Sequence, residues 1–93
     1  MLYPFMTLDD GTEIVHSEAY YCDDEKEVVK VEIEKPVEGG FRSAVLLLPE
    51  YKWEDVEGFS EEDISKLQEL IESLAHIIIR LAREGGFENA SGF

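Results

Sequence analysis

The segment from Ser60 to Glu84 constrains this chain more than any other. Apolar residues recur there at alternating steps of three and four, at Ile64, Leu67, Ile71, Leu74, Ile78 and Leu81. Leu70, Ala75, Ile77 and Ala82 widen the stripe on both sides. That spacing belongs to one face of an amphipathic helix and to no strand. Both ends are signalled. Ser60 stands at the N-cap with Asp63 three residues on, Glu61 and Glu62 fill the first turn, and Gly85-Gly86 follows the last. A serine hydroxyl satisfies an orphan N–H, carboxylates suit the positive end of the helix dipole, and glycine accepts the left-handed conformation after the last turn. The pattern predicts one helix over residues 61–84, followed by a tail over 85–93.

Four strand-like runs precede it, over residues 2–8, 12–21, 28–34 and 41–48. Pro4 lacks the N–H that a ladder needs, which makes the first run an edge strand. Asp10-Gly11 between apolar runs is a hairpin signal. Val29, Val31 and Ile33 alternate with Lys30, Glu32 and Glu34, the pattern of a half-buried antiparallel strand. Residues 45–48 are continuously apolar, which suits a strand covered on both faces, at least in part. With short connections throughout, the expected fold is α+β: a four-stranded antiparallel meander sheet with one long C-terminal helix packed on one face, ββββα, in a single domain over 1–93. Residues 50–59 are read as a loop.

A helix over 61–84 is about 36 Å long at ~1.5 Å per residue, whereas a seven-residue strand spans roughly 23 Å at ~3.3 Å per residue. Its apolar arc, about 160° wide, exceeds the roughly 100° that one packed layer requires. If Val45 and Leu47 face the helix, Leu46 and Leu48 lie on the far side of the sheet. This apolar excess is covered either by the tail, through Phe87 and Phe93, or by a second copy. A homodimer is the simpler expectation, with Leu46, Leu48, Leu70, Ile77, Ile79 and Leu81 as its interface.

Charge limits the partners. Acidic residues number 22 against 8 basic, for a net charge of −14. Such a chain repels nucleic acid and anionic membrane surfaces and favours basic proteins. With 44% hydrophobic residues it is not an acidic disordered tail. Seven carboxylates, Glu50, Glu54, Asp55, Glu57, Glu61, Glu62 and Asp63, surround Tyr51 and Trp53. Aromatic rings among carboxylates suit a cationic partner, and Tyr51, Trp53, Glu54, Asp55 and Glu57 form the candidate partner-binding set. A lone Trp in such a position otherwise covers the end of a small core.

No residue pattern identifies a reaction. His16, His76 and the single Cys22 match no zinc spacing, and one cysteine forms no intramolecular disulfide. The acidic clusters fit no calcium loop, and no phosphate-cradling glycine loop or nucleophile elbow is present. Catalytic residues, metal ligands and cofactors are therefore assigned to none. The alternative is a small-ligand or catalytic pocket near His16 and Tyr20. The first residues lack the basic and apolar regions of a signal peptide, and charges interrupt the helix stripe, so a cytoplasmic location is expected.

The stretches Tyr3-Pro-Phe-Met-Thr-Leu-Asp-Asp-Gly-Thr-Glu-Ile-Val-His-Ser-Glu18, Trp53-Glu-Asp-Val-Glu-Gly-Phe-Ser-Glu-Glu62 and Gly85-Gly-Phe-Glu-Asn-Ala-Ser-Gly-Phe93 resemble a group of short acidic proteins from gut Firmicutes. That resemblance implies a bacterial, cytoplasmic origin and carries no activity. The expected function is a non-enzymatic acidic interaction domain, antitoxin-like or inhibitor-like, that binds a basic protein.

Overall fold

The computed structural model describes residues 1–22 and 25–85; the expectations for Phe87 and Phe93 lie outside these residues. Six strands, β1 (Leu2–Thr7), β2 (Glu13–Ser17), β3 (Tyr20–Tyr21), β4 (Glu27–Val37), β5 (Gly40–Leu48) and β6 (Lys52–Glu57), precede the helix α1 (Glu61–Arg83). They form an antiparallel sheet of order β1-β2-β4-β5-β6, with β3 also paired to β4. The α+β class and the single C-terminal helix are as the periodicity implies. Ser60 and Asp63 form a reciprocal capping box, and Gly85 takes φ 82° just past the helix.

The expected four strands become six for two physical reasons. The run over 12–21 is interrupted at Glu18-Ala19, where the Ala19 amide donates to the Ala82 carbonyl at 3.1 Å. That carbonyl belongs to the last turn of α1, where it also accepts from the Gly85 amide at 3.3 Å. The chain leaves the ladder to serve it and rejoins β4 with Tyr20 opposite Val28. The second reason lies in residues 50–59. They contain β6, whose two apolar residues, Trp53 and Val56, stand three apart and show no period of two. A bulge explains the spacing: Ser43 and Val45 of β5 pair with Glu57 and Glu54, so β6 carries one extra residue, and Asp55 there has φ 50°.

The phase of β5 is the reverse of the one that put Leu46 and Leu48 on the far side. Ala44, Leu46 and Leu48 are buried and pair with Ile33, Val31 and Val29. Val45 and Leu47 point to the opposite face, where they are half-buried. A continuously apolar strand has no phase of its own; its hydrogen-bonded neighbour, with strict alternation, supplies one.

Ile14, Val29, Val31, Ile33, Leu46 and Leu48 pack against Leu67, Ile71, Ala75, Ile78 and Ala82 of α1. Tyr51, Trp53 and Phe59 extend this core, and Ile64, Leu70, Leu74 and Ile79 lie half-buried against it. The sheet is thus wider than four strands, and the broad helix stripe meets apolar residues of its own chain. Of the expected dimer interface, Leu46 and Leu48 are 0% and 1% exposed inside this core, and Leu81 is buried at 6%. They cannot form an interface between folded copies. Leu70, Ile77 and Ile79 are half-buried. Among the described residues, the exposed large hydrophobic side chains are Met1, Leu2, Tyr20, Tyr21, Phe41 and Val56, none of them on α1.

Where β6 gives way to the helix, Gly58 has φ 85°, and a Cβ there would stand 2.8 Å from Arg42 Cγ. Both the backbone conformation and the space require glycine. At the β1–β2 turn, the Asp10 carboxylate accepts from the Thr12 hydroxyl at 2.6 Å and the Thr12 amide at 3.0 Å. The Thr12 hydroxyl first, then its amide, holds the Asp10 carboxyl at about 2, below the ordinary 3.8.

Two measurements check this packing. Leu46→Ala should cost about 2–5 kcal/mol in urea unfolding, whereas Leu47→Ala should cost much less; equal losses would contradict the observed phase. The Asp10 carboxyl, with its pKa depressed on folding, contributes stability above pH 3.8 that is lost as the pH falls towards about 2. Asp10→Asn should therefore flatten that part of the acid-unfolding profile.

Candidate functional site

One face of the sheet is covered by α1; the other is open, and strand register decides what it displays. Because side chains alternate along each strand, burying Ile14, Val31, Ile33, Ala44 and Leu46 sends their neighbours to the open face. Cross-strand pairing then aligns Glu13, Glu34, Ser43 and Glu57 in one row across β2, β4, β5 and β6. The adjacent row is Val15, Glu32, Val45 and Glu54. Beyond it lie Lys30, Leu47 and Lys52. The bulge in β6 is essential to this arrangement. Glu54 and Glu57 are three residues apart, which would place them on opposite faces of a regular strand, but the extra residue brings both to the open side.

Electrostatically this face carries an excess of carboxylates over Lys30 and Lys52. Glu13 and Glu34 are direct cross-strand partners, and like charges placed so are destabilising. Glu13, Glu32, Glu34 and Glu57 form no salt bridge among the described residues, and Glu54 reaches only Lys52, at 3.9 Å. Three carboxylates elsewhere are matched. Glu27 holds Arg83 through two bonds of 2.6 and 2.8 Å, Asp10 meets Lys35 at 3.3 Å, and Glu62 meets Lys66 at 3.2 Å. The Arg83 guanidinium holds the Glu27 carboxyl below its ordinary range, and at the helix start the Ser60 amide and hydroxyl do the same for Asp63. A groove of about 340 Å³ runs between the carboxylate rows, lined by Leu2, Glu13, Val15, Glu32, Glu34 and Val45 among others. It combines anionic rims with a half-apolar floor.

The partner-binding set expected around Tyr51 and Trp53 is divided between the two faces. The Trp53 indole N–H donates to Gln68 Oε1 at 2.9 Å, and Gln68 in turn donates to Glu72 at 2.9 Å. Trp53 and Tyr51 thus pack under the helix as part of the core margin. Burial, and secondarily the Glu72 carboxylate, raises the Tyr51 phenol above its ordinary pKa. Asp55, exposed at the bulge, lines the groove of the open face, and Glu54 and Glu57 lie on that face as well. Glu13, Glu32 and Glu34 join them there. The outward orientation of Glu32 and Glu34 on β4 is legible in the alternation, but the rows they make with β2 and β6 depend on a register that no local pattern encodes.

His16 and Tyr20 do not converge. His16 pairs with Tyr3 and Val31 on the helix side and is fully buried. Its Nδ1 lies 2.8 Å from the Ser17 carbonyl, its ring is 5.7 Å from Tyr3 and 6.4 Å edge-on from Phe5, and Nε2 has no hydrogen-bond partner among the described residues. The short contact requires a proton on Nδ1 as donor. Tyr20 pairs with Val28 and is 41% exposed, on the opposite side of the sheet. Among the described residues no group of three or more His, Cys, Asp or Glu side chains is placed to hold a metal ion. No described helix is long and apolar enough to cross a membrane.

No protein-family model matches the chain, and no curated protein or solved structure is significantly similar to it.

The Glu13–Glu34 juxtaposition makes a direct stability prediction. Glu34→Lys should raise the unfolding free energy by roughly 0.2–1 kcal/mol, since a repelling cross-strand pair becomes an attracting one. Chemical denaturation of the two proteins side by side measures the difference, and no change or a loss would argue against the pairing.

Proposed function

We propose that this chain is a non-enzymatic interaction domain that binds a basic protein through the open face of β2, β4, β5 and β6. The observation that carries the reading is the row of Glu13, Glu34 and Glu57, with Glu13 and Glu34 directly opposed and no cation within salt-bridge reach among the described residues. A cationic partner relieves that repulsion on binding, so part of the free energy of association is stored in the unbound sheet. The net charge of −14 steers basic proteins towards the domain and repels nucleic acid and anionic lipid. An antitoxin-like or inhibitor-like role in the cytoplasm is the most concrete form of this reading. The alternative pocket near His16 and Tyr20 draws no support from their positions on opposite faces.

The test separates this face from net charge. A lysine- and arginine-rich peptide should bind the domain, with association slowing as salt screens the exposed charges. The triple variant Glu13→Gln, Glu34→Gln, Glu57→Gln should weaken binding about tenfold, the worth of a few exposed ion pairs. Glu61→Gln, Glu62→Gln, Glu69→Gln changes net charge equally and should leave affinity nearly intact. Equal losses in the two variants would reduce the interaction to net charge and refute the assignment to this face.

A further inference from the structure

We propose that the element recognised by the open face is an α-helix of the partner, carrying cations at positions i, i+3 and i+10 beside an apolar stripe; this rests on the acidic-face reading above. Three features support it.

The first is that both sheet edges resist strand addition. At the β1 edge, Pro4 lacks an N–H, and the register slips between Pro4 and Met6. At the β6 edge, Asp55 sits in a bulge with φ 50°, which turns the edge away from a regular ladder. A partner therefore meets side chains on the face rather than backbone at an edge.

The second is the spacing of the carboxylates. Glu34 stands one strand from Glu13, and Glu57 two strands further along the same row. At about 4.8 Å per strand these positions fall near 0, 5 and 14 Å. On a helix, residues i, i+3 and i+10 rise by about 4.5 and 15 Å at ~1.5 Å per residue, and they lie within about 80° of one another around the axis. A helix laid across the strands along this row therefore sets three cations opposite three carboxylates without leaving the surface. Its apolar stripe then falls on the next row, at Val15 and Val45, with Leu47 beyond. α1 solves the same packing problem on the other face, so the bound state is a three-layer arrangement with the sheet in the middle.

The third is the charge imbalance of the face. Its rows carry Glu13, Glu32, Glu34, Glu54 and Glu57 against Lys30 and Lys52. A second copy would bring the same excess of carboxylates, so the fitting occupant is a basic segment of a different chain.

Three synthetic probes test the proposal by fluorescence anisotropy. One is an Ala/Leu/Lys peptide of ~18 residues, long enough to hold helix in water, with lysines at i, i+3 and i+10 beside a leucine stripe. The second has the same composition with lysines at i, i+2 and i+9, which splits them around the helix. The third places proline mid-sequence in the first. The first probe should bind at least about tenfold more tightly than either other, and Glu13→Gln, Glu34→Gln, Glu57→Gln should abolish that advantage. If all three bind alike and all weaken in the triple variant, the helix proposal fails while the acidic-face reading stands. If none responds to the triple variant, both fail. If ultracentrifugation shows the chain self-associating, and Val45→Glu abolishes it, the face belongs to a second copy and the proposal is overturned.

Discussion

The whole arrangement depends on one packing constraint: the stripe of Leu67, Ile71, Ala75, Ile78 and Ala82 must be covered by one face of the sheet. Once Val29, Val31 and Ile33 turn towards the helix, the period of two leaves no freedom to their neighbours. Lys30, Glu32 and Glu34 must face away, hydrogen bonding to β4 sets Leu46 and Leu48 inward, and Val45 and Leu47 follow outward. Hydrophobic burial on one side thus dictates the display on the other. The outward charges of β4 follow from the core geometry.

Two local departures from regular structure then shape that display. The break at Glu18-Ala19 exchanges ladder pairing for the bond from the Ala19 amide to the Ala82 carbonyl, tying the end of β2 to the end of α1. The bulge at Asp55 brings Glu54 and Glu57 to one side while Trp53 turns under the helix, where Gln68 satisfies its indole. Both devices keep buried polar groups paired. The bulge also lengthens the acidic row, at the cost of placing further negative charge beside Glu34 and Ser43.

What the sequence disclosed follows from the range of each interaction. The helix and its caps depend on residues no more than four apart, and Ser60, Asp63 and Gly85 were all readable. The outward charges of β4 were readable too, because Val29, Val31 and Ile33 alternate without a break. Residues 45–48 have no alternation of their own, so the side taken by Leu46 and Leu48 is set only by pairing with Val31 and Val29. β6 escaped because Asp55 breaks the alternation of Trp53 and Val56 and because Glu54, Asp55 and Glu57 read as solvated loop. The candidate site was half visible for the same reason. Its carboxylates were evident singly, but Glu13 and Glu34 are twenty-one positions apart, and only the register makes them neighbours.

Amide chemical-shift mapping shows whether a basic partner binds the face opposite α1. The ¹⁵N-labelled domain is titrated with a lysine- and arginine-rich peptide at moderate salt. The account predicts perturbations concentrated at Glu13, Val15, Glu32, Glu34, Val45, Glu54 and Glu57, with the exposed helix residues Glu69, Glu72 and His76 unmoved. Shifts centred on the helix, or spread evenly over every acidic residue, would contradict it.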